Sequence, residues 1–165
     1  MRMRKFLFHP SYRREISCLS IPHINAKREI ISTPMPLTSN FWEERYQDGT
    51  TRWDLGQPAP PFVTLLNAPN APKPGRVAVL GSGRGHDALL FADRSFDVVG
   101  FDFAPSAVQE ATVAARSRQL SAQFLQRDIF ELGNDFAASF DYVLEHTCYC
   151  AIDPSLRSDY VQVVQ

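Results

Sequence analysis

The sequence predicts an α/β fold in which parallel strands alternate with helices on both faces of one sheet. Four apolar runs have the length of buried strands: Arg76–Leu80, Asp97–Phe101, Gln123–Gln126 and Phe140–Leu144. Helical patterns follow the first, second and last of these runs, at 87–92, 106–119 and 154–164. Strands that alternate with helices imply crossover connections, and crossover connections give a parallel sheet. We therefore expect four neighbouring strands in one sheet.

Two short helices are predicted before the first strand. Thr38-Ser39-Asn40 offers capping side chains, and the two glutamates that follow suit the positive end of a helix that ends near Gln47. Pro60–Leu66 predicts a second helix, which is closed by the proline-rich linker 68–74. Trp53 lies in the irregular segment between the two helices.

Length and composition fit one soluble domain. The chain has 165 residues, of which 44% are hydrophobic and 21% charged, so it can bury a core. A run of about 20 apolar residues, which a membrane-spanning helix needs, does not occur. The net charge of −1 gives no reason to expect a nucleic acid or a membrane as partner. We expect a monomer that acts on a small molecule.

The charge is unevenly distributed along the chain. Residues 1–38 hold seven basic and two acidic residues and show no sustained apolar period. They predict a basic, disordered extension before a domain that covers 39–165. Basic, acid-poor segments are also typical of organelle targeting peptides. We expect a cytoplasmic location for the protein. The alternative is an organelle, if this segment is a transit peptide.

The cysteines do not predict a structural framework. Cys18, Cys148 and Cys150 are odd in number, and the last two are separated by a single residue. A Cys-x-Cys pair without a second ligand cluster is a poor zinc site. We expect a reducing compartment and no metal ion.

Three glycines follow the first predicted strand at alternate positions. Gly81, Gly83 and Gly85 lead into a helix, where glycine permits a tight turn and lets a ligand approach the backbone. Dinucleotide folds use the spacing G-x-G-x-x-G, and their pyrophosphate lies at the helix end. The spacing G-x-G-x-G favours S-adenosylmethionine over NAD, although a glycine-rich turn can also be purely structural.

Two acidic residues strengthen this interpretation. Asp102 ends the second apolar run, 17 residues after Gly85, and a carboxylate there can accept hydrogen bonds from ribose hydroxyls. Asp128 ends the next run, where it can accept from the adenine amino group while Ile129 covers the ring. Asp102 can also serve only as a helix cap, and Asp128 as a surface acid. Together with the glycines they predict a site for an adenosyl group.

Four segments give the chain a resemblance to a known family. They are Phe41-Trp42-Glu43-Glu44-Arg45-Tyr46, Trp53-Asp54-Leu55-Gly56, Gly81-Ser82-Gly83-Arg84-Gly85-His86-Asp87 and Cys150-Ala151-Ile152-Asp153-Pro154. From about residue 40 to its end the chain resembles the thiopurine S-methyltransferase family, which includes the plant halide and thiol methyltransferases. The resemblance implies a Rossmann-like class I methyltransferase fold and S-adenosylmethionine as cofactor.

The resemblance also assigns residues to the site. It implies that Trp42, Tyr46 and Trp53 form a lid over the cofactor, although the plant members usually have tryptophan at the position of Tyr46. Aromatic faces attract a sulfonium cation by about 0.5–2 kcal/mol per contact. Cofactor contacts are implied for Gly81, Asp102, Asp128 and Ile129. His146 stands where relatives have a tyrosine in contact with the cofactor, and Arg157 aligns with an arginine that faces the acceptor.

The implied activity is methyl transfer from S-adenosylmethionine to a small soft nucleophile such as a thiol, a thiopurine, a halide or thiocyanate. A thiolate or halide needs no base, and the sequence offers no obvious one. The inferred fold has seven strands and only four are counted, so the sheet is expected to be incomplete at the C-terminus. The alternatives are a truncated, catalytically inactive fragment that binds the cofactor, and an NAD(P)-binding oxidoreductase.

Overall fold

The structure is a computed structural model that describes residues 5–6 and 37–165. The strands of this part are β1 (Lys5–Phe6), β2 (Arg76–Leu80), β3 (Asp97–Asp102), β4 (Ala122–Gln126) and β5 (Tyr142–Glu145). They form one sheet in the order β1-β5-β2-β3-β4, and every neighbouring pair is parallel. The predicted α/β class with a parallel sheet is confirmed.

Helices cover the sheet on both faces. Those of the described residues are α1 (Ser39–Gln47), α2 (Pro60–Asn67), α3 (His86–Asp93), α4 (Pro105–Ser117), α5 (Leu132–Phe136), α6 (Cys148–Ala151) and α7 (Arg157–Val164). Short 3₁₀ turns at Ile129–Glu131 and Pro154–Leu156 precede α5 and α7. None of the helices in these ranges has both the length and the apolar character that a membrane crossing requires.

The strand β1 corrects one expectation about the N-terminal segment. Lys5 pairs with Tyr142 and Phe6 with Val143, so these two residues belong to the sheet instead of a disordered extension. Two residues are too few to show a period, which is why the sequence did not predict them. The remainder of the predicted extension, 1–4 and 7–36, lies outside the described residues. Among the described residues, this two-residue strand is the only one that pairs with the outer side of β5.

The strand register places three chain segments at one edge of the sheet. Leu80 at the end of β2 pairs with Phe101 of β3 and with Glu145 of β5. The residues that follow these three are Gly81, Asp102 and His146. Carboxyl ends of parallel strands are where ligands bind in open α/β sheets. The sheet therefore brings the glycine loop, an acid and a histidine together.

The core lies on both faces of the sheet. One face packs residues of α2, α3 and α4 against the sheet, and the other packs residues of α5 and α7 against it. Val77, Val98 and Leu144 are at most 1% exposed, which identifies the three central strands as the centre of the core. Because buried apolar side chains contribute about 1.5–3 kcal/mol each, this sheet is a rigid support for the loops at its carboxyl edge.

Candidate functional site

The first two glycines of the loop border an open space. Gly81 and Gly83 have φ angles of +60° and +52°, which favour glycine. A Cβ on Gly81 would lie 3.0 Å from the Cβ of Cys148, and one on Gly83 would lie 3.2 Å from the hydroxyl of Tyr46. Both glycines line the cleft, and a side chain at either position would meet Cys148 or Tyr46 at less than the ordinary contact distance.

The third glycine has a different surrounding. Gly85 has φ +82° and precedes α3, and a Cβ there would lie 3.0 Å from both the Ala111 methyl group and the Phe124 ring. It does not border the space next to Gly81. Its conformation and its close contacts explain the glycine by packing between the loop, α4 and β4.

The space beside the loop is a cleft that opens to solvent. Its walls come from the loop, from the segment after α1, from the start of α3 and from the turn after β5. The lining residues are Tyr46, Trp53, Asp54, Leu55, Gln57, Gly81, Ser82, Gly83, Arg84, His86, Asp87, His146 and Thr147. Five of the residues predicted from the sequence are among them: Tyr46, Trp53, Gly81, Gly83 and His146.

A network of charged groups fixes the segment 51–56 to the glycine loop. Asp54 forms an ion pair with Arg84, and its Oδ1 lies 3.2 Å from Nε2 of His86. Arg84 also donates to the hydroxyl of Thr51 at 2.9 Å. Burial alone would raise the pKa of Asp54, but bonds from Arg84 and the Gly56 N–H, with the His86 charge, lower it below its usual value. The aromatic wall is thus held in place by the loop.

Asp87 is the second carboxylate of the cleft. Its Oδ1 accepts a hydrogen bond of 2.7 Å from the Ala59 N–H, which links α3 to the start of α2. Burial raises the pKa of Asp87, and the Ala59 bond and the charges of His146 and His86 oppose that rise. Asp87 is therefore a half-buried acid whose pKa depends on the charges of both histidines of the cleft.

The aromatic residues form a cluster over the end of β3. Trp53 meets Trp42 and Tyr46 edge to face, with ring centroids 5.4 and 6.0 Å apart. The three rings pack with Ala104 and Ala107 at the start of α4. Burial and then the charge of Asp102 raise the pKa of Tyr46. Trp42 contacts its partners behind the cleft and does not line it.

Asp102 lies beneath this cluster. It is 8% exposed, its Oδ2 accepts from the Gly83 N–H at 2.8 Å and its Oδ1 from the Ala104 N–H at 2.9 Å. Burial raises its pKa, while these backbone bonds favour the ionised form. Each carboxylate oxygen retains a second lone pair, so the group can accept further hydrogen bonds.

Besides Trp42 and Gly85, four predicted residues are absent from the cleft lining: Asp102, Asp128, Ile129 and Arg157. Asp128 accepts from the Phe130 N–H at 3.0 Å and thereby caps a 3₁₀ turn, and Ile129 packs against the core on the α7 face. Arg157 places its guanidinium 5.1 Å from the centroid of Tyr149, and its Nε is buried without a hydrogen-bond partner. The proposed contacts of these residues with cofactor or acceptor remain predictions.

The turn after β5 is strained at the cleft. Thr147 adopts φ +67°, a left-handed conformation that is uncommon for a β-branched residue. The ring of His146 packs against Phe62, with centroids 6.3 Å apart, and both His146 and Thr147 line the cleft. Among residues 5–6 and 37–165, no group of three His, Cys, Asp or Glu side chains is arranged to hold a metal ion.

Sequence reasoning missed the charged wall of the cleft. Asp54, Arg84, His86 and Asp87 lie inside segments that carried the family resemblance, but no role was assigned to them. Each residue lies about 30 positions from its partner in the chain, as Arg84 does from Asp54. No local sequence pattern therefore indicates these contacts. The available signal was that all four residues lie in quoted segments, namely 53–56 and 81–87. Charged residues beside a predicted ligand loop are candidates for holding that loop in place.

Comparisons with known proteins identify relatives of this chain. The family model described as Thiopurine S-methyltransferase (TPMT) matches residues 37–165. The probable thiol methyltransferase 2 of Arabidopsis thaliana is 32% identical over 127 residues, which are 76% of this chain and 55% of that protein. The thiocyanate methyltransferase 1 of Brassica oleracea is 32% identical over 126 residues, 75% of this chain and 54% of that protein.

A solved structure shares the fold as well. It is described as showing the conversion of a disulfide bond into a thioacetal group during echinomycin biosynthesis, and it superposes with a TM-score of 0.62 at 31% identity. The match covers 67% of this chain and 45% of the other. The chain spans about half the length of the curated relatives it matches. Since the family model covers most of the chain, including the glycine loop and the aromatic segment, the chain belongs to the thiopurine S-methyltransferase family.

Proposed function

We propose that the cleft binds S-adenosylmethionine and that the protein transfers its methyl group to a small soft nucleophile. The observation that carries this proposal is the meeting of three features at one edge of the sheet. Two left-handed glycines, Gly81 and Gly83, border the cleft, aromatic rings form its wall, and the buried carboxylate of Asp102 lies under the loop.

The residues present fit this ligand. The backbone around Gly81 and Gly83 would hold the methionine part, and the faces of Tyr46 and Trp53 would stabilise the sulfonium charge. The free lone pairs of Asp102 would accept the ribose hydroxyls. Because Asp102 is only 8% exposed, we expect the aromatic cluster above it to shift when the adenosyl part binds. Asp128 and Ile129 are proposed to contact the adenine.

Methyl transfer needs alignment and the exclusion of water more than it needs chemistry from the protein. When bound, S-adenosylmethionine supplies a methyl group on a positively charged sulfur. An acceptor lone pair can attack the methyl carbon and displace this sulfur. The Asp54–Arg84 pair fixes the segment that carries Trp53 to the loop, so the aromatic wall excludes water from a defined position. This pair therefore contributes to the alignment.

The acceptor is proposed from the relatives and from one side chain. Two relatives are named for thiols and thiocyanate, and the solved neighbour concerns a disulfide and a thioacetal. Soft sulfur nucleophiles are thus the favoured class, and these acceptors are anionic or become so. Arg157 begins α7 and its guanidinium lies over the ring of Tyr149 in α6, and we propose that its charge attracts such an acceptor. A cytoplasmic location fits a small-molecule acceptor and is likewise a proposal.

Calorimetric titration of the purified chain tests the cofactor. S-adenosylmethionine and S-adenosylhomocysteine should bind, and NAD should not. Asp102→Asn should weaken binding about tenfold or more, since it loses a charged acceptor of ribose hydroxyls. Asp97→Asn is the matched control, because Asp97 begins the same strand, is exposed and should leave the affinity unchanged. Binding of NAD in preference to S-adenosylmethionine, or equal affinity in Asp102→Asn and Asp97→Asn, would contradict the proposal.

A further inference from the structure

We propose that Asp87 binds the α-ammonium group of the cofactor and thereby selects ligands that carry a free amino group. The inference rests on the proposed binding of S-adenosylmethionine and deepens it, because the glycine loop, the aromatic rings and Asp102 leave that ammonium group without a charged partner. The cofactor carries one positive charge on its sulfonium sulfur and another on its amino group. The aromatic rings suit the first charge, and Asp87 suits the second.

Asp87 stands where the glycine loop becomes α3. It is the second residue of this helix and follows His86, the residue after the cap Gly85. Asp87 lines the same cleft as Gly81 and Gly83, whose backbone is proposed to hold the methionine part. The carboxylate and the proposed site of the amino-acid part therefore share one cleft.

One oxygen of Asp87 is bound and the other is available. Oδ1 accepts the 2.7 Å hydrogen bond from the Ala59 N–H, which fixes the side chain. Within residues 5–6 and 37–165, Oδ2 accepts no hydrogen bond. It is also not among the fully buried polar atoms of this part that lack a partner, so solvent can reach it. A ligand in the cleft can thus donate to Oδ2 while the Ala59 bond stays in place.

The charge of Asp87 has no permanent counterion. Asp54, the other carboxylate of the cleft lining, is paired with Arg84. In the described part of the chain no lysine or arginine forms an ion pair with Asp87. The positive charges that act on it are those of His86 and His146, which exist only in their protonated forms. Burial raises the pKa of Asp87, and a bound cation would favour its ionised form.

The chemistry of the cofactor identifies the group that fits this carboxylate. The cofactor's own carboxylate is negative, so Asp87 repels it. The sulfonium sulfur is charged but has no hydrogen to donate, and the rings of Tyr46 and Trp53 suit such a charge. The ammonium group combines a positive charge with three N–H donors, as the side chain of a lysine does. A half-buried carboxylate with one available oxygen is the partner that such a group requires.

The test compares two ligands of the full chain by calorimetric titration. They are S-adenosylhomocysteine and its deamino analogue, in which hydrogen replaces the amino group. Wild type should bind the analogue about 10–100-fold more weakly, which is the usual cost of losing one hydrogen bond between charged groups. Asp87→Asn should weaken the binding of S-adenosylhomocysteine by a similar factor. It should leave the affinity for the analogue within about threefold of wild type, because the interacting pair is already broken there.

Asp93→Asn is the matched control. Asp93 lies at the other end of α3, is exposed and is absent from the cleft lining. The same substitution at this position should change neither affinity. Asp87→Asn retains an oxygen for the Ala59 N–H, so the link between α3 and the start of α2 is kept in the comparison.

A second readout uses the wild-type chain alone. Carbon NMR can follow the titration of the Asp87 carboxyl group. Saturation with S-adenosylhomocysteine should lower the pKa of Asp87, because the ammonium group stabilises the ionised form, and the deamino analogue should not lower it. Equal weakening of both ligands in Asp87→Asn, or a pKa of Asp87 that responds equally to both ligands, would overturn the inference. Failure of the wild type to bind S-adenosylhomocysteine would instead overturn the proposed function.

Discussion

Gly100, in the middle of β3, should tolerate no side chain. A Cβ built on it lies 2.6 and 2.7 Å from two ring carbons of Phe124 and 3.0 Å from the Cβ of Ser82 in the glycine loop. Ordinary contacts begin at 3.4 Å, so the ring of Phe124 would have to move by about 0.8 Å. Phe124 also touches Gly85, which leaves the ring little room on its other side. Overpacking of this kind costs about 1–3 kcal/mol.

Chemical denaturation followed by circular dichroism should therefore show Gly100→Ala less stable by about 1–3 kcal/mol. The clash is with one ring, so Phe124→Leu in the same chain should relieve it. The double variant should be more stable than the sum of the two single changes predicts, by about 0.5–3 kcal/mol. Gly133→Ala is the matched control. Gly133 lies in α5, and a Cβ added there would have no neighbour within 4 Å.

Two results would refute this reasoning. A Gly100→Ala variant as stable as the wild type would mean that Phe124 moves at no cost. Additive effects of Gly100→Ala and Phe124→Leu would mean that the cost arises elsewhere in the strand. Gly133→Ala should differ from wild type by less than about 1 kcal/mol, because only the entropy of the unfolded chain changes.

Three further predictions concern the cleft. Asp87→Asn keeps an oxygen for the Ala59 N–H, and the raised pKa of Asp87 makes ionisation costly in the folded state. Wild type should thus lose stability relative to Asp87→Asn as the pH rises above the ordinary carboxyl value of about 3.9, as denaturation at pH 4 and pH 7 would show. Asp54→Asn should behave oppositely: the lowered pKa of Asp54 gives wild type an advantage at pH 7 that fades below about pH 4. Thr147→Asn should raise the free energy of unfolding by up to about 1 kcal/mol, since asparagine tolerates the left-handed conformation. Denaturant titration would show this as a higher midpoint concentration than that of the wild type.

The elements that the sequence predicted are those with a long or apolar pattern. The runs Arg76–Leu80 and Asp97–Phe101 became β2 and β3 with bounds within one residue, because strands buried on both faces read as continuous apolar segments. The helices α5 and α6, with five and four residues, are shorter than the period that would reveal them.

The site could be predicted where the position of a residue relative to the strands fixes its place in the sheet. Gly81 follows β2 and Asp102 ends the neighbouring β3, so a parallel sheet must bring them to one edge. The roles of Asp54 and Asp87 depend on contacts with residues about 30 positions away, and a sequence does not show which acids find such partners. For the same reason the sequence could not show that His146 and Asp87 line one cleft.

Three carboxylates around the cleft obey different constraints. Asp54 is paired with Arg84, and its charge contributes to folding. Burial raises the pKa of Asp87 and of Asp102, so their ionised forms oppose folding at neutral pH. At position 87 a neutral asparagine would avoid that cost, and its Oδ1 could still accept the hydrogen bond from the Ala59 N–H. At position 102 asparagine could not do the same, because both carboxylate oxygens of Asp102 accept from backbone N–H groups. The charge at Asp87 therefore has no explanation in stability, whereas this side chain lines the cleft that we propose binds the sulfonium cofactor. If Asp87→Asn is both more stable at pH 7 and slower in methyl transfer, the charge is retained for function.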